Sequence, residues 1–380
     1  MSTARIKGGR RVGQGAGMAD FTVLPQVFTR RQARAVGLSD RQLDRCLAKG
    51  DLIAVRRGIL RRADQDADGD PPDAENYCKT AIFVAPPIAP EAVPLDLRAA
   101  LLGSPSRQLV ISHASAARLW GLPQPLGGWP QPQFSAVEGS NRSRRGMHVR
   151  VVRLDDDQIM EWNGLAVTTP ERTLVDCLRS LPGRDGLAMI DSALHRGLVR
   201  APDVLTVLAQ QCGWPGAGLA RQVLGLADAR RESPLESWST WAFAHSDLPL
   251  PEYQVEIRAS DGRRMGRVDF WWRRGGLVGE ADGRAKYALA AAERGGNAEA
   301  LLDVLQGERR REQRLREVGA EVIRWSTRDV LDRAAADALA ARIRSMLELG
   351  RQREAFTGVV VPAPSPVATV SSITTAGIGG

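Results

Sequence analysis

The stretch GRVDFWWRRGGLVGEADGRAKY, Gly266–Tyr287, decides the reading of the C-terminal third of this 380-residue chain. Two apolar runs flank Arg-Arg-Gly-Gly, the composition of a tight hairpin turn. With the turn centred between Arg274 and Gly275, antiparallel pairing sets Asp269 directly opposite Glu280. Opposed side chains on one face have Cβ atoms about 4.5–5.5 Å apart. Glu280 and Asp282 share a face because strands alternate with period 2. Val268, Phe270 and Trp272 face the other way with Leu277, Gly279 and Ala281, an apolar back. Two like charges at that distance cost about 3 kcal/mol at an effective dielectric near ~20, a large part of a domain's margin. A divalent cation reverses the sign, and hard oxygens at this spacing suit Mg²⁺. Three alternatives stay open: one acid protonated, one splayed into solvent, or one paired with an arginine such as Arg267 or Arg284. A one-residue slip in register would move these side chains to the other face.

Working outward, residues 232–348 read as one α-β-β-β-α-β-α pattern. ESPLESWSTWAFAHS is a helix, YQVEIR a strand, and RMGRVDFWW and LVGEAD are the hairpin strands. A long helix spans about 297–318 and ends at Gly319. AEVIRWS is a fourth strand, and a closing helix begins at Thr327 as its cap. An acid at the end of one strand, then an acidic E-x-D pair on the next, in this order of elements, resembles the PD-(D/E)XK nuclease superfamily. GEADGRAKY followed by GERRREQRLREVGAEVIRW resembles the very-short-patch-repair-type endonuclease domains. The resemblance implies a restriction-endonuclease-like fold. It implies Asp269 and Glu280 as ligands of one or two Mg²⁺ (or Mn²⁺) ions, with Glu236 of SPLES as an upstream ligand. The superfamily lysine falls two residues after the glutamate. This sequence departs from that pattern with Asp282, and Lys286 lies four residues further on. Lys286 would orient or help deprotonate the attacking water and stabilise phosphorane charge. Arg310, Arg311 and Arg314 on the long helix, with Arg324 beyond, would hold backbone phosphates, or pair with Glu308 and Glu312.

At the other end, FTRRQARAVGLSDRQLDRCLAKGDLIAVRRGIL (Phe28–Leu60) carries two capping boxes, Thr29 with Gln32 and Ser39 with Gln42. Gly37 closes the first helix, and Leu43, Cys46 and Leu47 form the apolar stripe of the second. After Gly50, LIAVRRGIL reads as a small β-wing. Helix, turn, helix, wing is the winged helix-turn-helix order. The second helix offers Arg41, Arg45 and Lys49 to DNA, and Arg56 and Arg57 sit near the wing tip. The alternative is a small helical domain with a solvated basic face. This segment, with SHASAARLWGL and TTPERTLVDCL further on, resembles the AbiEi-type antitoxin family.

Residues 1–20 and 356–380 are expected to be flexible or disordered, and 63–75 is an acidic linker. The region 76–225 is a mixed, mostly helical middle domain, in which Thr168 caps the TTPERTLVDCL helix and His113 is a structural or partner-contact residue. Net charge is +8, which favours a polyanionic partner. Of 52 basic residues only Lys7, Lys49, Lys79 and Lys286 are lysines, and the 4 cysteines lack CxxC spacing. No apolar run reaches the ~20 residues of a membrane span, and neither a P-loop nor a GxGxxG motif occurs. The expectation is an α+β multidomain, cytoplasmic chain: a flexible 1–20, a winged helix at 21–62, a middle domain at 76–225 and a nuclease-like domain at 232–348. Its expected role is DNA binding with Mg²⁺-dependent endonuclease activity. The alternative is an antitoxin-like transcriptional regulator with an inactive nuclease fold, acting on a cognate toxin or its operator. The sequence sets no oligomeric state.

Overall fold

The computed structural model describes residues 23–63, 93–102, 109–139, 141–144, 146–162, 164–281, 298–352 and 356–363. The chain is mixed α+β, with 11 helices and three sheets among the described residues. It divides into two compact units, residues 1–67 with 94–107, and the remainder.

In the first unit, β1 (Val27–Thr29) leads into α1 (Arg30–Ala35) and α2 (Asp40–Lys49). Both predicted capping boxes form. The Thr29 hydroxyl accepts from the Gln32 amide at 3.1 Å while Gln32 Oε1 accepts from the Thr29 N–H at 2.8 Å. Ser39 and Gln42 repeat this at 3.3 and 2.9 Å. Gly50 ends α2 in the left-handed region at φ +81°, open to glycine without strain. β2 (Leu52–Arg56) and β3 (Ile59–Arg62) are an antiparallel hairpin, and β1 joins the far side of β3. Phe28, Ala33, Leu38, Leu43, Leu52 and Leu60 fill the space between helices and sheet. A further helix, α3 (Leu95–Leu102), packs Leu95 and Ala99 on Val27 and Ile59. α3 therefore packs within this unit, although the sequence reading places it in the middle region that begins at 76. The apolar faces that join them are some 40 residues apart in the chain, beyond the reach of local patterning.

In the second unit, a six-stranded mixed sheet is built from β4 (Val110–Ile111), β5 (Gln133–Ala136), β6 (Arg142–Arg144), β7 (Met147–Val151), β8 (Ile159–Trp162) and β9 (Leu165–Thr168). Its order is β6-β7-β5-β4-β9-β8. Five helices accompany it: α4 (His113–Leu119), α5 (Pro170–Ser180), α6 (Gly183–His195), α7 (Ala201–Gln210) and α8 (Ala217–Leu226). Thr169, not Thr168, caps α5, because the Thr168 hydroxyl is bonded to Thr173 at 2.6 Å.

The remaining elements follow the predicted order: α9 (Pro234–Ala244), β10 (Glu252–Arg258), β11 (Arg264–Trp272), β12 (Leu277–Ala281), α10 (Ala298–Glu317), β13 (Glu321–Trp325) and α11 (Arg333–Gly350). β11 and β12 pair antiparallel with Phe270 opposite Gly279 and Trp272 opposite Leu277, which is the predicted register. β13 returns parallel to β12 after α10. The sheet is covered on both faces. Phe270, Trp272, Leu277 and Trp325 pack with Trp238 and Phe243 of α9 and with Leu339 and Ile343 of α11. Trp271 and Val278, joined by Val268, pack with Leu315 of α10 and Val318. α6 and α9 approach closely, since a Cβ at Gly183 would lie 2.1 Å from the Trp241 ring.

Two boundaries differ from expectation. Thr327 does not cap the last helix: Ser326 and Asp329 form a capping box over a short 3₁₀ turn, and Asp332 caps α11. The expected disordered tail begins instead with a strand, β14 (Val359–Val361), on the free edge of β10. Phe356 seats against Trp271, with ring centroids 4.7 Å apart, and Thr357 N–H donates to Val318 O at 3.1 Å. Local composition conceals a strand whose partner lies a hundred residues earlier. No helix among the described residues is long and apolar enough to cross a membrane.

Candidate functional site

Glu236 enters the site through a helix cap. Ser233 is the N-cap of α9 and Pro234 holds the first turn, where a missing N–H costs nothing. Glu236 Oε1 accepts from the Ser233 hydroxyl at 2.7 Å, and Oε2 from the Glu232 N–H at 3.1 Å. The carboxylate is nevertheless aimed inward and is 2% exposed.

Asp269 and Glu280 come from adjacent strands and are also buried. Asp269 Oδ2 accepts from the Ala281 N–H at 3.0 Å. Its other oxygen, Oδ1, accepts from Gln254 Nε2 at 3.2 Å, and the same nitrogen donates to Glu236 Oε2 at 2.8 Å. Gln254 therefore gathers two carboxylates from a helix and a strand onto one amide. It stands in the middle of β10 with φ +53°, a backbone region that costs a non-glycine residue about 1–3 kcal/mol. Strain of this kind persists where the surroundings over-determine it.

Glu280 is met by an arginine. Arg311 of α10 donates from Nη2 to Glu280 Oε1 at 2.8 Å and from Nη1 to Glu308 at 3.2 Å, and it also donates to the Arg267 carbonyl. Burial works against the Arg311 charge, but Glu280, Glu308 and Asp269 outweigh it, and its pKa is raised. The apposition of acids is thus relieved by an amide, a backbone N–H and a guanidinium. Of the two arginines suggested by sequence proximity, Arg267 pairs with Glu232 instead, and Arg284 lies outside the described residues. So do Asp282 and Lys286.

Among the described residues no three His, Cys, Asp or Glu side chains are grouped closely enough to hold a metal ion. The donors that do converge, Glu236 and Asp269, are hard oxygens, and Mg²⁺ is ordinarily held by one or two carboxylates with waters and phosphates completing its shell. The donor chemistry fits that ion.

The other predicted contacts are dispersed. Arg310 and Arg314 are exposed on α10, whereas Arg311 is turned into the site. Arg324 on β13 pairs with Glu312 at 2.8 Å. In the first unit Arg41, Arg45 and Lys49 are exposed along α2. The acids nearest them are engaged by Arg30, which pairs with Asp44 at 2.5 Å and Asp40 at 3.4 Å. Arg57 is exposed at the hairpin turn. Arg56 is half-buried, and burial lowers its pKa against the opposing pull of Asp96.

No family model matches this chain. It is similar to two proteins of Mycobacterium tuberculosis, "Uncharacterized protein MT2308" of strain CDC 1551 / Oshkosh and "Uncharacterized protein Rv2248" of strain ATCC 25618 / H37Rv. Each is 33% identical over 194 residues, which cover 51% of this chain and 66% of the relative. The match thus spans just under two thirds of the relatives' length.

Proposed function

We propose that this chain binds DNA and hydrolyses phosphodiester bonds with Mg²⁺. The observation that supports the reading is the buried pair Glu236 and Asp269, joined by Gln254 from α9 and β11, with buried Glu280 of β12 held by Arg311 nearby. A domain gains no stability from burying three acids, and phosphoryl-transfer sites need such a set. Asp269 and Glu236 would hold the ion. When bound, it would activate a water and neutralise charge on the scissile phosphate. Arg311, fixed by Glu280 and Glu308, keeps its positive charge beside the carboxylates, where a phosphate oxygen would draw close. The exposed Arg41, Arg45 and Lys49 on the second helix of a helix-turn-helix, followed by a basic hairpin, support duplex binding by a winged helix. Asp282 and Lys286 stay in the proposal as the residues that the nuclease resemblance makes responsible for water activation.

A second reading has its own support. Glu280 is satisfied by Arg311, and Glu236 and Asp269 by Gln254. That arrangement needs no metal, as expected of an antitoxin-like regulator that keeps the nuclease fold without turnover and binds an operator or a cognate toxin. Single-stranded, duplex and mismatched DNA incubated with Mg²⁺, Mn²⁺ or EDTA separate the two. The enzyme reading expects metal-dependent cleavage that the Asp269→Ala/Glu280→Ala variant loses. DNA binding without cleavage on any substrate would leave the regulator.

A further inference from the structure

A second buried polar cluster lies in the six-stranded sheet, and the proposed activity makes no use of it. Its centre is Asp176 of α5, fully buried, which accepts from Arg172 Nε at 2.9 Å and from Arg179 Nη2 at 3.1 Å. His113 stands with Nδ1 4.0 Å from the same carboxylate. It is 2% exposed and held at φ +52°. Its Nδ1 is 2.9 Å from the Ser112 hydroxyl, which accepts from the Ser135 hydroxyl at 2.8 Å. Arg150 on β7 is the register partner of Ser135 on β5. The Trp214 ring forms a half-buried wall, 5.2 Å from the Arg172 guanidinium and 5.0 Å from that of Arg179.

The cluster is unbalanced in charge and in hydrogen bonds. Burial, which outweighs the attraction of Asp176, pushes the His113 pKa down to about 4, so the imidazole is neutral at neutral pH. Three guanidinium groups then face one carboxylate. Arg172 Nη2, Arg179 Nε and Arg150 Nη1 are buried without a hydrogen-bond partner among the described residues, and Arg172 is 1% exposed. Both side-chain amide atoms of Gln211, whose backbone carbonyl accepts from the Trp214 backbone N–H at 2.9 Å, are unpartnered among the described residues as well. Buried donors are almost always satisfied, and buried charge almost always paired. Ordered water would satisfy the donors but leave the surplus charge. An oxyanion satisfies both, and guanidinium forks match its geometry.

We propose that Arg150, Arg172 and Arg179, with Ser112 and Ser135 beside them, form a binding site for a phosphate group, free or carried on a small phosphomonoester. Asp176 positions two of the arginines, and His113 contributes a neutral polar wall.

The test is thermal unfolding of the full chain in rising inorganic phosphate, in adenosine monophosphate and in acetate, each against chloride at matched ionic strength. The expected result is a saturable rise in Tm of at least about 5 °C at a hundredfold excess over Kd. A response to either phosphate-bearing probe supports the site, and which one responds tells free phosphate from phosphomonoester. Arg150→Gln, which breaks no ion pair among the described residues, should weaken the response about tenfold. Ser135→Ala should weaken it less, and provides the readout if Arg150→Gln does not fold by circular dichroism. Arg41→Ala/Arg45→Ala should keep it in full. No shift beyond chloride overturns the proposal. So does a response to acetate alone, a response unchanged in both Arg150→Gln and Ser135→Ala, or one lost in the Arg41/Arg45 variant.

Discussion

Asp191→Ala should be among the most damaging single substitutions in this chain. Asp191 on α6 and Arg231 are both 0% exposed. They meet through two bonds, Nε to Oδ2 at 2.6 Å and Nη2 to Oδ1 at 2.9 Å. The same carboxylate accepts from the Ser237 hydroxyl at 2.7 Å and the Asp228 N–H at 2.8 Å. One side chain thereby ties α6 to the turn that precedes α9, through Asp228 and Arg231, and to α9 itself through Ser237, the neighbour of Glu236. Removing it leaves a fully buried guanidinium without its bonded carboxylate, retaining a carbonyl contact to Leu226 at 2.5 Å, the face of Tyr253 and the more distant charge of Asp228. Breaking a buried pair from one side costs roughly 3–5 kcal/mol, a third or more of the margin of many domains. Removing both charges, as in Asp191→Leu/Arg231→Met, should cost only about 1–2 kcal/mol, because no charge is stranded. Guanidinium unfolding followed by circular dichroism measures both, together with Asp191→Leu and Arg231→Met, the single variants that close a double-mutant cycle. The transition of the first unit serves as an internal reference, since two units need not unfold together. A loss under about 1 kcal/mol in Asp191→Ala, or a double variant as unstable as the single one, would refute the argument from stranded charge.

Three further outcomes follow from other sites. His113 is held neutral, with its folded pKa near 4 and below the ordinary value of 6.5, so protonation favours unfolding. Stability should be level above about pH 6.5 and fall by roughly 1.4 kcal/mol per unit between there and about 4; His113→Gln, followed by urea titration at each pH, should flatten that part of the profile. Gly279→Ala drives a Cβ to 2.5 Å from the Trp325 ring and 2.9 Å from Trp272, so overpacking should cost about 1–3 kcal/mol in Tm-derived stability; an unchanged Tm would mean the aromatic core yields freely. Arg41→Ala/Arg45→Ala should weaken duplex binding in fluorescence anisotropy and reduce the salt slope by about 2; an unchanged slope would remove α2 from the DNA interface.

What the sequence discloses here is what short-range forces set. Both capping boxes in the first unit form because donor and acceptor are three residues apart. The hairpin register holds as the Arg-Arg-Gly-Gly turn sets it, with Phe270 opposite Gly279 and Trp272 opposite Leu277. Asp269 and Glu280 were singled out by that register, extended one pair beyond Phe270 and Gly279, and Glu236 by the nuclease resemblance alone. Their partners were not. Arg311 reaches Glu280 across 31 positions, and Gln254 reaches Glu236 across 18. A strand glutamine with left-handed backbone carries no sequence signature. The one available hint was a polar amide between the apolar Tyr253 and Val255. The arginine cluster around Asp176 stayed hidden too, because its members look like surface charges until α5 and β7 are brought together.

The strand β14 pairs with β10, though about a hundred residues separate them in the chain. An unpaired strand edge is a template for other chains, and during synthesis the edge of β10 stays open while every residue from 259 to 358 is added. At about 5–20 residues per second that interval lasts several seconds. The five-stranded sheet therefore has a vulnerability in time that its finished form conceals: its outermost strand is closed last, by a segment that composition alone would class as tail.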